Sequence, residues 1–104
     1  MGQEGGAVGE QVEFTAPLWE WGARDSWYFV TLDEEASEVV SERPPPGRGF
    51  GSVRVRVTVG ATTWTTSVFP GDDGRFVLPV KKAVRVAESI EEEDPVTVLL
   101  EVLD

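Results

Sequence analysis

Apolar and polar residues alternate one by one along several short stretches of the chain. The clearest is Val53, Val55, Val57 and Val59 interleaved with Arg54, Arg56 and Thr58, the two-residue period of a strand with one face buried. Val12 to Trp21 has the same period, with Phe14, Ala16 and Leu18 on one face and Thr15, Pro17 and Trp19 on the other. Pro17 marks an edge position or a bulge there, because proline has no amide to give to a neighbouring strand. Trp27 to Leu32 is an aromatic and β-branched run, and Gly22-Ala23-Arg24-Asp25-Ser26 before it reads as a turn, so the first two strands should form a hairpin. Gly60-Ala61 allows a tight reversal from the valine strand into Thr62 to Phe69, with Trp64 as the inward anchor. After the turn Pro70-Gly71-Asp72-Asp73-Gly74, a fifth strand covers Arg75 to Leu78. A last strand follows from Val96, where apolar Leu99 and Leu103 on the second face imply burial on both sides and a central position.

Two helices interrupt the strands. Asp33 is a good N-cap, and Glu34 and Glu35 place negative charge on the first turn of a helix running to about Glu42. Its apolar stripe is only Ala36, Val39 and Val40, enough to cap a sheet but not to build a core alone. Pro44-Pro45-Pro46 ends it, since proline removes amide donors and biases the preceding residue to extended backbone. The second helix is expected to open at Pro79, with Val80, Ala83, Val84, Ala87 and Ile90 on one face.

The order is β-β-α-β followed by β-β-α-β. A shift of 47 places brings Phe29-Val30 onto Phe76-Val77, Ala36 onto Ala83 and Val39 onto Val86. An internal duplication closing into a barrel with helices at its ends is the implied architecture, and closure removes exposed strand edges. The Gly-rich residues 1–10 have no periodicity and read as a flexible tail, leaving residues 11–104 as one domain.

Composition narrows the chemistry. The 104 residues include no His and no Cys, which removes the usual general base, the thiolate nucleophile and the commonest metal ligands. The net charge is −10, which repels nucleic-acid phosphates and anionic membranes at long range. It is unevenly spread: residues 43–85 carry +6 and the rest −16. No apolar run is long enough to span a membrane, and the first residues lack the pattern of a secretory signal, so a cytoplasmic location is expected.

Phe14-Thr15-Ala16-Pro17-Leu18-Trp19, Trp27-Tyr28-Phe29-Val30, Gly49-Phe50-Gly51-Ser52-Val53-Arg54-Val55, Trp64-Thr65-Thr66-Ser67 and Leu78-Pro79-Val80-Lys81-Lys82-Ala83-Val84-Arg85 together resemble the small bacterial domains of unknown function numbered 1905. Those domains occur alone or fused to bacteriocin-protection, OmpD-associated domains. The resemblance implies a mainly β, α+β fold: a double-split β-barrel of about six strands with two capping helices. It brings no catalytic or binding residues. The C-terminal half, from Arg75 to Arg85 and on through Ile90 to an acidic turn, is similar to the half-barrels of AbrB-type and MazE-type transcriptional regulators, which pair two halves by dimerising. Here both halves share one chain, so a monomer completes the barrel. Glu93 stands before Asp94 where that pattern has a glycine.

Candidate chemistry is sparse. Lys81 and Lys82 are in no nucleophile motif, and the carboxylates at Asp72-Asp73 and at Glu91 to Asp94 lack the spacing of a hard-cation loop. No enzyme, metal or cofactor is expected. The binding candidates are Arg48, Arg54, Arg56 and Trp64. Arg54 and Arg56 leave one face of a strand, and the Gly-rich loop before them offers backbone amides to an anion. The competing reading pairs these arginines with acids of adjacent strands such as Glu13 or Glu101. Trp19, Trp21, Trp27 and Trp64 either line a pocket or serve as core and rim, with Trp64 in the core and Trp19 or Trp21 partly exposed. The expected function is a binding or accessory module taking a small anionic ligand or a protein partner through the arginine face. The alternative is an AbrB-like DNA-associated regulator.

Overall fold

The computed structural model describes residues 11–22, 27–42, 51–71 and 73–103. The elements are β1 (Gln11–Glu20), β2 (Tyr28–Thr31), α1 (Glu34–Ser41), β3 (Val53–Val59), β4 (Thr62–Pro70), β5 (Phe76–Pro79), α2 (Lys82–Ala87) and β6 (Pro95–Val102). The six strands form a closed antiparallel barrel in the order β1-β2-β5-β4-β3-β6. This is the mainly β barrel with two helices that the alternation implies. The tail at residues 1–10, most of the first turn, and Arg48 with nearly all of its Pro- and Gly-rich loop lie outside the described residues.

The inward rows of the strands build the core. Val53, Val55, Val57 and Val59 of β3 are buried, as are Val12, Phe14 and Leu18 of β1 and Val96, Val98, Leu100 and Val102 of β6. Val30 of β2, Leu78 of β5 and Val68 of β4 complete the barrel interior, and Ala36, Val40 and Val84 come from the helices. Each fully buried Leu or Val contributes about 1.5–3 kcal/mol by leaving water. One expectation fails on β6. Leu99 points outward and is 41% exposed, although β6 does lie between β1 and β3. A strand in a closed barrel has two neighbours whatever its outer face carries, so a central position does not require burial on both faces.

The long strands split between two partners. Residues of β1 from Gln11 to Pro17 pair with β6, and Leu18 to Glu20 pair with β2. Likewise β4 pairs with β3 from Thr62 to Val68 and with β5 at Phe69 and Pro70. Pro17 stands where β1 changes partners. The Leu18 amide then donates to the Asp94 carbonyl at 3.0 Å, and the Glu93 amide donates to the Leu18 carbonyl at 2.7 Å. Glu93 takes a φ of 73° to do so, the left-handed region that glycine enters without a Cβ penalty.

The halves repeat, but at an offset of 48 and not the 47 read from residue matches. Leu32 donates its amide to the Phe76 carbonyl and Val80 donates to the Tyr28 carbonyl, at 2.8 and 3.0 Å. At this offset Asp33 and Lys81 are both N-caps, α1 and α2 begin together, and buried Val30, Leu32 and Ala36 meet buried Leu78, Val80 and Val84. Val30 pairs with Leu78 itself, so the pseudo-two-fold axis passes through that pair. The 47-place matches put buried Ala36 on exposed Ala83 and half-buried Val39 on Val86, which is 67% exposed. A shift of one residue moves a strand's side chains to the other face, and burial therefore settles the register where chance identities mislead.

The second helix is shorter than its sequence pattern suggests. Pro79 ends β5 and does not open α2, and Lys81 is the N-cap. Ala83 and Ala87 face outward, and Val84 is the one buried residue of the helix. Because Val80 precedes the helix and Ile90 follows it, the five-residue helical stripe dissolves into three separate anchors.

Candidate functional site

The register places Arg54 and Arg56 on the outer face of β3, and both are exposed. Arg56 lies opposite Glu101 of β6 and donates from Nη1 to Glu101 Oε1 at 2.9 Å. Cross-strand charge pairing therefore accounts for Arg56. Arg54 forms no side-chain hydrogen bond or ion pair among the described residues. It lies opposite Ser67 on β4. Trp64 is on the other side of the sheet: it pairs with inward-facing Val57, packs against the core and is only partly buried. The sequence-level group is thus divided, with Arg54 and Arg56 outside, Trp64 inside and Arg48 outside the described residues.

A larger feature occupies the outer face of the other half of the barrel. In the β1–β2 hairpin Trp19 lies opposite Phe29, and their rings stack at 5.2 Å and 27°. One step nearer the turn, the Trp21 amide donates to the Trp27 carbonyl at 2.9 Å, and those rings are tilted at 5.8 Å. Trp27 also touches Phe29 at 6.4 Å. Such aromatic pairs add about 0.5–1.5 kcal/mol beyond area burial. The row continues sideways, because Phe29 pairs with Pro79 and Thr31 with Val77 on β5, and Val77 pairs with Phe69 on β4. These side chains line an open cleft of about 850 Å³, with Gly71 and Asp73 at one end. Trp21, Trp27 and Phe69 are 44%, 49% and 43% exposed.

Two polar contacts shape the cleft. Trp19 Nε1 donates to Thr31 Oγ1 at 2.9 Å, which fixes the indole plane and uses its donor. Asp73 Oδ1 accepts the Arg75 amide at 3.2 Å, closing the β4–β5 turn. A smaller slot of about 330 Å³ adjoins the cleft, sharing Trp27, Phe29 and Pro79 and adding Tyr28, Trp64, Val80 and Lys81. The Arg85 guanidinium lies 4.0 Å over the Tyr28 ring and donates from Nε to the Val80 carbonyl at 3.2 Å, so it braces the floor of that slot.

The arginines and the aromatics meet at β4. Thr63, Thr65, Ser67 and Phe69 share its outer face, so Arg54, opposite Ser67, is the diagonal neighbour of Phe69. That diagonal is roughly 7–8 Å between backbones, within reach of a long side chain. One signal of the cleft is visible in the sequence: aromatics at 19, 21, 27 and 29 are spaced symmetrically about the first turn. The part played by Phe69 and Val77 needs the β2–β5 pairing and is invisible before folding.

Among the described residues no group of acidic side chains is placed to hold a metal ion, and no helix is long and apolar enough to cross a membrane. Fold and surface together define a duplicated six-stranded barrel domain carrying an aromatic cleft on its outer wall. The chain belongs to the DUF1905 family, a domain of unknown function, whose profile matches residues 14–100. No curated protein matches the sequence.

Proposed function

We propose that this domain is a non-enzymatic binding module for a small ligand with a planar apolar body and an anionic group. The body lies on the aromatic cleft and the anion meets Arg54. The observation that carries this reading is the juxtaposition across β4: Arg54 is exposed and unpaired among the described residues, and Phe69, its diagonal neighbour, is a wall of the cleft. An apolar cleft with a few polar groups at its margin is the usual form of a small-molecule site. A guanidinium is suited to a carboxylate, sulfonate or phosphate. Arg56 adds little, since Glu101 already holds it.

Anilinonaphthalene sulfonate combines an aryl body with an anionic group and is a direct probe. Its fluorescence should rise on addition of the folded protein, and Arg54→Glu and Phe69→Ala should each lower the affinity at least tenfold without changing the far-UV circular dichroism. Unchanged affinity in both variants would refute the reading. Retardation of duplex DNA at low salt, lost as salt is raised, would instead support the regulator alternative.

A further inference from the structure

The two halves of the barrel differ at one strand edge. In an antiparallel strand alternate residues direct their backbone groups to opposite neighbours. In β4 the Gly71 amide donates to the Arg75 carbonyl at 2.7 Å, and Phe69 pairs with Val77 of β5. The odd-numbered residues of β4 therefore point toward β5, whereas Thr62, Trp64, Thr66 and Val68 point toward β3. Pairing with β5 covers only Phe69 and Pro70. The N–H and C=O groups of Thr63, Thr65 and Ser67 face a side where no strand among the described residues pairs with them.

One residue, Pro79, accounts for the step lost at Ser67. In the first half the β1–β2 pairing extends to Leu18 and Val30, with Thr31 the next residue of β2. The matching residue in the second half is Pro79, which has no amide hydrogen. The β4–β5 pairing stops one step earlier, and the chain turns away at Val80, whose amide goes to the Tyr28 carbonyl, as the first half does at Leu32. The corresponding edge of β1 carries Glu13 and Pro17, and α1 contacts β1; charge and proline are ordinary means of blocking a strand edge. The β4 edge carries two threonines and a serine and neither device. Beside it lies the slot lined by Trp64, Thr65 and Thr66 on one side and by Tyr28, Val80 and Lys81 on the other.

We infer that this edge accepts an extended peptide as an added strand, in the place that a longer β5 would fill. The peptide's backbone pairs with Thr63, Thr65 and Ser67. Its residues opposite Trp64 and Thr66 point into the slot and are apolar, to match Trp64 and Tyr28. Lys81 is exposed at the slot and Lys82 and Arg85 follow it on α2, so an acidic residue at that end is favoured. Backbone bonds provide affinity and the alternating side chains provide selectivity, as in other strand additions. This inference is independent of the small-ligand reading, since its contacts lie along the β4 backbone and not at Arg54.

The test uses the whole chain, labelled for amide NMR, and an acetylated seven-residue peptide of alternating valine and glutamate. Hydrogen exchange in the free protein should be fast at Thr63, Thr65 and Ser67 and slow at Trp64, Thr66 and Val68. The peptide should slow exchange at the first three. Methylating alternate backbone nitrogens of the peptide should abolish binding, and Pro79→Thr, which restores the donor present in the first half and so occupies Ser67, should weaken it. Lys81→Glu should weaken binding and leave the fold intact. Slow exchange at all six amides in the free protein, no binding at millimolar peptide, equal binding of the methylated peptide, or shifts confined to Trp21 and Phe69 would each overturn the inference.

Discussion

The carboxylate of Glu88, at the C-terminal end of α2, grips the β3–β4 hairpin by accepting the Thr62 hydroxyl at 2.6 Å, and its same oxygen accepts the Ala61 amide at 3.2 Å. It lies so close to Gly60 that a Cβ added there would fall on the carboxylate, with Glu88 Cδ at 2.7 Å. Gly60 has a φ of 59°, as the first central residue of a tight hairpin turn requires. One glycine thus serves both the turn and the docking of α2.

Glu88→Ala should therefore destabilise the fold by about 1–2 kcal/mol, by leaving the Ala61 amide and Thr62 hydroxyl without this partner. For a domain of this size that lowers Tm by roughly 4–8 °C per kcal/mol. Gly60→Ala should cost more than an ordinary surface substitution, about 1–3 kcal/mol, because strain at positive φ adds to displacement of Glu88. Thermal unfolding followed by circular dichroism measures both. The double variant should cost less than the two changes added together, since each removes the same contact.

The helix N-caps are chemically unequal at equivalent positions. Asp33 accepts the Ala36 amide at 2.8 Å, and Lys81 provides no side-chain cap. Asp33→Ala should cost about 0.5–2 kcal/mol. Lys81→Asp, copying the first half into the second, should raise stability by up to about 1 kcal/mol. Chemical denaturation of the two variants checks both signs.

Glu93 occupies a left-handed position and its side chain makes no hydrogen bond among the described residues. Glu93→Gly relieves a Cβ penalty of roughly 1 kcal/mol, offset by the greater freedom of glycine in the unfolded chain. Stability equal to or slightly above that of the parent is expected. Glu93→Val should be clearly destabilising, because a β-branched side chain tolerates positive φ poorly. Urea midpoints of the two variants should move apart.

Arg56 is 49% exposed and its partner Glu101 13%. Half-exposed pairs are screened by solvent, and the coupling in a double-mutant cycle should be no more than about 1 kcal/mol, falling as salt is added. By contrast Leu100→Ala, in the barrel interior, should cost about 2–5 kcal/mol.

The strands were legible because each barrel strand keeps one dry face, and period-two alternation records it directly. Asp33 was legible as a cap because capping is local. The Arg56–Glu101 pair was anticipated as one of two cross-strand partners, and its selection depends on the β3–β6 register. The reading of Pro79 as a helix start failed because proline suits both the first turn of a helix and the end of a strand. Its place was decided by Phe29 opposite it on β2. Trp64 was correctly placed on the inner face, yet it stays only partly buried because β5 departs beside it.

The sequence by itself determined the inward rows of most strands, where the hairpins turn, that the chain repeats, and which family it belongs to. These are consequences of short-range pattern, and each can be satisfied by a few neighbouring residues. Only the tertiary structure decided the register of the repeat, the separation of Trp64 from the arginine face, the joining of four strands' outer side chains into one aromatic cleft, and the open edge of β4. Those depend on which strands become neighbours, and closure of the barrel fixes that by bringing together residues far apart in the chain.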